Sequence, residues 1–274
     1  MQVYKFGGAS IASPERMTAL LPIIKDADHP IIMVVSAYGK TTNALEAIVA
    51  NACKGKKQEA QELLKALEQA HLDYCKGLLN DAYYAQAVKA LNVFFTELQW
   101  AVDDATADKY DYSYDQIVCM GELLSTRIFG FYLQQSGLPF EWADVRDVIR
   151  TDDTYRDARV DWDFSKAKAV ELFSPLLSSG KSIITQGFIG ATADNASVTL
   201  GREGSDYTAA MLAAMLGANG VTIWKDVEGL QNADPKLFPN TVKIEAITYH
   251  EVIEMAYYGA QVIHPKTIKP LQNN

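Results

Sequence analysis

The stretch "QVYKFGGAS", residues 2–10, reads as a short strand that carries a lysine near its end and runs into two glycines. Side-chain alternation places Lys5 on the opposite strand face from Tyr4 and Phe6. Gly7 and Gly8 let backbone amides approach an oxyanion with no Cβ in the way, and Ser10 adds a hydroxyl donor. Lys5 can place an ammonium on the same anion, although a glycine pair after a strand also makes an ordinary tight turn.

Outward from this stretch, β-branched runs alternate with helical patterns. "PIIMVVSA" (30–37) is followed by a helix from about Thr42, and "KSIITQGF" and "GVTIWKDV" flank a helix at 205–217. Such alternation predicts a three-layer α/β/α sandwich around a mainly parallel sheet, with ligands bound beyond the carboxyl ends of the strands. Between about 56 and 103 the pattern changes. Leu64, Leu67, His71, Tyr74 and Leu78 form one helical stripe, Val88, Leu91, Phe95, Leu98 and Val102 a second, and "LND" (79–81) separates them. The two stripes predict an antiparallel helical hairpin, with His71 a packed residue of its stripe.

Over 274 residues, a hydrophobic content of 49% and a charged content of 22% describe a globular chain with a sizeable core. A formal net charge of -9 argues against nucleic acid or an anionic membrane surface as partner. An anionic ligand must then be met by local positive charge. Cys53, Cys75 and Cys119 form neither a paired framework nor a zinc signature, and the amino terminus lacks a targeting pattern, so the expected compartment is the cytoplasm.

Two nucleotide signatures fail on spacing. "GKT" (39–41) would need its first P-loop glycine where Val34 stands, and "GG" (7–8) lacks the dinucleotide fingerprint. What remains is a set of loops at strand ends. "VVSAYGKTTN" (34–43) brings Ser36, Thr41 and Thr42 to a helix start, where hydroxyls suit a carboxylate or phosphate and plain N-capping asks for the same residues. In "LGREGSDYTAAMLAAML" (200–216), Ser205 or Asp206 is the expected helix cap, and Arg202 stands just outside, able to grip a carboxylate in two places or to form a surface salt bridge. Glu122, at the start of the apolar helix "CMGELLSTRIFGFYL" (119–133), suits the helix dipole or an ammonium ligand. Lys225, Asp226, Gln231 and Lys236 lie in a loop after "TIW" that borders a nucleotide or makes a plain surface turn.

Together, "KFGGAS", "VVSAYGKTTN", "GELLST", "ITQGFIG", "LGREGSDYTAA", "IWKDVEG" and "GAQVIHPKT" resemble, in order and over nearly the whole chain, the blocks of the amino acid kinase family, and within it the aspartate kinase catalytic domain. The resemblance implies transfer of the ATP γ-phosphoryl group, with Mg²⁺, to the side-chain carboxylate of L-aspartate, giving 4-phospho-L-aspartate for the lysine, threonine and methionine pathway. It assigns Lys5 and Asp206 as catalytic residues and Ser36, Thr42, Glu122, Arg202 and Ser205 to the substrate. Gly7, Gly8, Ser10, Lys225, Asp226, Gln231, Lys236 and Gln261 fall to ATP, with no metal ligand assigned to the protein. An aspartate-binding half of about 1–200, an ATP-binding half of about 201–274 and a possible homodimer are implied as well. Gln261 stands where the family often has a lysine, Lys236 where arginine is common, and Lys225 and Gln231 where threonine and tyrosine are commoner. Regulatory ACT domains follow the kinase domain in longer members, and none is expected in this chain, which stops at "KPLQNN". The competing expectations are a non-catalytic relative and a kinase of another small carboxylate on the same fold.

Overall fold

The computed structural model describes residues 1–227, 229–238, 240–259 and 263–272. Its strands are β1 (Gln2–Phe6), β2 (Ile31–Val35), β3 (Phe140–Trp142), β4 (Ser182–Gln186), β5 (Ile189–Ala191), β6 (Ser197–Thr199) and β7 (Val221–Trp224). The helices are α1 (Pro14–Ala19), α2 (Leu21–Lys25), α3 (Thr41–Cys53), α4 (Lys57–Leu78), α5 (Asp81–Asp104), α6 (Tyr110–Val118), α7 (Met120–Gln135), α8 (Trp162–Ser178), α9 (Gly204–Leu216), α10 (Tyr249–Tyr257) and α11 (Pro265–Gln272).

Five strands form one sheet in the order β3-β4-β2-β1-β7, all parallel. Both faces of such a sheet are covered, and the sequence shows it: every residue of "IIMVV" in β2 and of "SIITQ" in β4 is buried. Alternation along β1 sorts the two layers. Phe6 turns toward Phe129 of α7, with ring centroids 6.5 Å apart, while Lys5 turns the other way, to Asp206 of α9. α8 and α9 cover the second face, with α11 against α9; β5 and β6 make a small antiparallel pair beside the sheet. This is the three-layer arrangement expected from the sequence.

α4 and α5 form the expected hairpin, and both apolar stripes face inward. Asn80 caps α5 by accepting the Tyr83 N–H. At the other end Lys57 Nζ donates to the carbonyls of Val102, Asp103 and Ala105, satisfying the open end of α5. The Tyr74 hydroxyl donates to Ile11 O at 2.8 Å, so the hairpin braces the loop that follows β1. His71 is fully buried, with Nδ1 bonded to Leu67 O, and burial lowers its pKa to about 4. It is a packed residue, as its stripe implied.

Two capping expectations are corrected. α9 starts at Gly204, one residue before Ser205, and its N-cap is Glu203 in a left-handed conformation with no side-chain cap bond. Ser205 and Asp206 therefore lie inside the first turn. α3 has Lys40 as N-cap, also without a side-chain bond, so Thr41 and Thr42 are helical and cap nothing.

Candidate active site

Because the five strands are parallel, the loops after β1, β2, β4 and β7 emerge on one edge of the sheet, where they enclose a cavity of about 570 Å³. Its floor is set by close backbone contact. Gly39 N–H donates to Gly8 O at 3.0 Å and Ser36 N–H to Phe6 O at 3.2 Å. A Cβ on Gly8 would overlap Ala37 O, so only glycine lets these two loops meet. Gly187 plays the same part on the other wall: an added Cβ would lie 2.5 Å from the Ser205 Cβ, against the first turn of α9.

The charged centre is a carboxylate held between two ammonium groups. Asp206 Oδ1 is 2.7 Å from Lys5 Nζ and Asp206 Oδ2 is 2.8 Å from Lys225 Nζ. Lys5 and Asp206 are 6% and 2% exposed, which leaves little water to screen the pair. Burial opposes ionisation of Asp206, but the Lys5 and Lys225 charges outweigh it and hold the carboxyl below its usual range. The register explains the pairing: Phe6 lies beside Trp224, so Lys5 and Lys225 approach α9 from adjacent parallel strands.

Glu122, in the first turn of α7, forms a second acidic element. Its Oε1 accepts the Ala37 N–H at 3.1 Å, and Ser125 Oγ accepts the Tyr38 N–H at 2.9 Å, so α7 holds the loop after β2. Oε2 of Glu122 is buried with no hydrogen-bond partner. Burial pushes this carboxyl up to about 8, against the Ala37 N–H and the Lys5 charge. Glu122 lines the cavity, so an acid with an unpartnered buried oxygen stands at its wall.

The far wall is built on Asp115, which is fully buried in α6. It accepts the N–H groups of Arg156 at 2.8 Å and Thr199 at 2.9 Å, and the Thr199 hydroxyl at 2.7 Å. Burial pushes its carboxyl up to about 6 in spite of these donors. Four non-glycine residues among those described have φ in the left-handed region, and three of them, Arg156, Phe188 and Glu203, line this cavity. Strained backbone gathered around one cleft marks a functional site.

The amino acid kinase family model matches residues 1–274. The chain belongs to the amino acid kinase family. This family member is 35% identical to the lysine-sensitive aspartokinase 3 of Escherichia coli (strain K12) over 98% of its own length and 58% of that protein's. It is 33% identical to a chloroplastic bifunctional aspartokinase/homoserine dehydrogenase 2 of Arabidopsis thaliana, over 98% of this chain and 30% of that one. Among solved structures, E. coli aspartokinase III in complex with lysine and aspartate superposes with a TM-score of 0.87 at 34% identity, over all of this chain and 60% of that one. The same enzyme in complex with aspartate and ADP gives a TM-score of 0.84. The chain thus spans 58% or less of the length of these two curated relatives.

Of the residues singled out from the amino acid kinase resemblance, the cavity brings together Lys5, Gly8, Ser36, Thr42, Glu122, Arg202, Ser205, Asp206 and Lys225. Arg202 is exposed at the rim and makes no salt bridge among the described residues. Gly7 and Ser10 lie behind the wall: Gly7 N–H donates to Trp224 O, and Ser10 N–H to Gly7 O. Asp226 and Lys236 are exposed, Gln231 bridges to Lys243, and these three do not line the cavity. Gln261 lies outside the described residues. Sequence reading missed Tyr114, Arg156 and Thr199, which lie outside the quoted blocks and reach the site only through the fold, and it gave no role to Phe188, which stands within "ITQGFIG". A larger cavity, about 760 Å³, lies among Trp162, Tyr207, His264, Lys266 and Lys269 and contains none of the expected site residues.

Proposed function

We propose that this chain transfers the γ-phosphoryl group of ATP to the side-chain carboxylate of L-aspartate, producing 4-phospho-L-aspartate. The carrying observation is that Lys5, Glu122, Arg202 and Asp206, drawn from both ends of the sequence, line one cavity. The relatives named aspartokinase and the E. coli structure with aspartate and ADP support the same reading.

In this reading the Arg202 guanidinium holds the α-carboxylate of aspartate, and the open oxygen of Glu122 receives its ammonium. Ser36, Thr42 and Ser205 border the substrate. The acceptor carboxylate, with a pKa of about 4, is already ionised at neutral pH and needs no general base. Catalysis then consists of alignment and charge stabilisation, with the Lys5 ammonium set on the transferring phosphoryl oxygens. Asp206 fixes the buried Lys5 in place and holds the half-buried Lys225 ammonium beside it before substrate arrives.

On the nucleotide side, the close-packed Gly8 loop and the paired Lys5 and Lys225 fit a polyphosphate, and Asp226, Gln231 and Lys236 belong to the loop leaving β7. Both Asp206 oxygens are taken by lysines, and no group of three or more metal-ligating side chains occurs among the described residues. In this reading Mg²⁺ would come on the phosphates of ATP, where the ion would neutralise oxygen charge.

A coupled ADP-release assay with L-aspartate, L-glutamate and carbamate tests the reading. Turnover with aspartate is the expected result, and turnover only with another acceptor overturns it. A second reading, a non-catalytic relative, is motivated by Asp226, Gln231 and Lys236 standing away from the cavity. Aspartate binding without Mg-ATP binding in calorimetry would favour it.

A further inference from the structure

We propose that Arg156 is a second guanidinium of the substrate subsite, acting beside Arg202 on the carboxylate groups of a small dicarboxylate amino acid; the choice of ligand rests on the function proposed above. Arg156 lies between β3 and β6 in a segment with no motif, yet its side chain lines the cavity together with Arg202, Thr199 and Tyr114.

The backbone around Arg156 is built to deliver it. Its φ is 72°, a conformation that glycine adopts freely and a long side chain does not, so arginine here is maintained against strain. The compensation is the fully buried Asp115, which accepts the Arg156 N–H while gripping both donors of Thr199. That grip ties Arg156 to the strand leading into Arg202. A Cβ on Gly201 would come within 3.3 Å of Arg156 O, so the two arginine-bearing loops touch.

The guanidinium is positioned but not consumed. It stacks 4.4 Å over Tyr114, and its ion pair among the described residues is Nη1 to Asp111 Oδ1 at 3.2 Å, where the side chains are 48% and 63% exposed. So exposed a pair contributes little and can be exchanged for a ligand carboxylate at small cost. The stacked fork keeps further N–H donors for that exchange. A diacid entering beside a triphosphate also needs more cation than the centre supplies, because Lys5 and Lys225 are already engaged by Asp206.

The test compares wild type with Arg156→Gly and Arg156→Lys. Steady-state ADP release gives kcat and KM for L-aspartate, calorimetry gives Kd for L-aspartate and succinate, and thermal unfolding gives Tm. Arg156→Gly should raise KM and Kd by about tenfold or more, the loss of a charge-assisted contact, with kcat within about threefold and Tm no lower. Arg156→Lys should fall between. If the glycine variant fails to fold, Arg156→Asn, whose side chain tolerates a left-handed backbone, replaces it. Unchanged dicarboxylate affinity in the glycine or asparagine variant overturns the proposal. Calorimetry separates this from the proposed function: binding that depends on Arg156 without any aspartate turnover supports the subsite and removes the kinase reading. A wild-type chain that binds neither dicarboxylate overturns both.

Discussion

Lys5 Nζ, at the end of β1, lies 2.7 Å from Oδ1 of Asp206, in the first turn of α9, and both side chains are nearly closed to solvent. The second oxygen of the same carboxylate meets Lys225. One acid thus positions two cations at the carboxyl edge of a parallel sheet. In the proposed reading, a triphosphate and a small acid meet at this edge.

Removing the Lys5 charge should reveal its role through a split in the kinetics. Lys5→Ala is expected to lower kcat by about 10²–10³ while KM for aspartate changes only a few-fold, because the charge is needed most in the transition state. Equal losses in both parameters would speak against the role. Asp206→Ala, which leaves Lys5 buried without its partner, should cost about 3–5 kcal/mol of stability in denaturant unfolding.

In the proposed reading, Glu122 should make ligand binding sensitive to pH. Its carboxyl titrates at about 8 in the fold and near 4.5 when exposed, so from 4.5 to 8 the unfolded chain has released a proton that the folded chain retains. The contribution of this group to stability therefore falls as pH rises through that window. A substrate ammonium on the open oxygen reverses the preference. Binding of L-aspartate at pH 7 should then release about one proton, seen as a dependence of the calorimetric heat on buffer ionisation enthalpy. Glu122→Gln should abolish the dependence, and a buffer-independent heat in the wild type would contradict the assignment.

Asp115 is expected to matter without touching substrate. Asp115→Ala strands the buried N–H of Thr199 and the part-buried N–H of Arg156, and about 3 kcal/mol of stability should be lost. Because the same carboxylate sets the Arg156 loop, KM for aspartate should rise as well. A variant as stable as wild type by chemical denaturation would refute this account.

Gly8→Ala tests the packing of the two loops. The new methyl group overlaps the Ala37 carbonyl, and overpacking of this kind typically costs about 1–3 kcal/mol. Activity should fall further than stability alone explains, since one of the two displaced loops follows directly on Lys5 and the other carries Ser36. Wild-type kcat with wild-type Tm would show that the loops can separate freely.

Much of the architecture was legible in one dimension because it depends on local periodicity. "IIMVV" and "SIITQ" read as fully buried strands, and the stripes through Leu64–Leu78 and Val88–Val102 read as a helical pair, because 2- and 3.6-residue repeats are properties of the chain itself. Helix starts were less legible. Ser205 and Asp206 looked like caps, yet α9 begins at Gly204, because the left-handed Glu203 turns the chain before any side chain can cap it, and Asp206 is engaged by Lys5 and Lys225 instead.

The sequence by itself determined the alternation of strands and helices, the helical hairpin, and the chemistry carried by each strand-end loop, since these follow from residue type and spacing. Only the tertiary structure decided that Lys5 and Lys225 share Asp206, that Glu122 keeps an open buried oxygen, and that Arg156 reaches the cavity from a segment without a motif. Those facts depend on which parallel strands are neighbours and on how Asp115 ties distant loops together. Contacts between residues far apart in the chain leave no local periodicity from which they could be read.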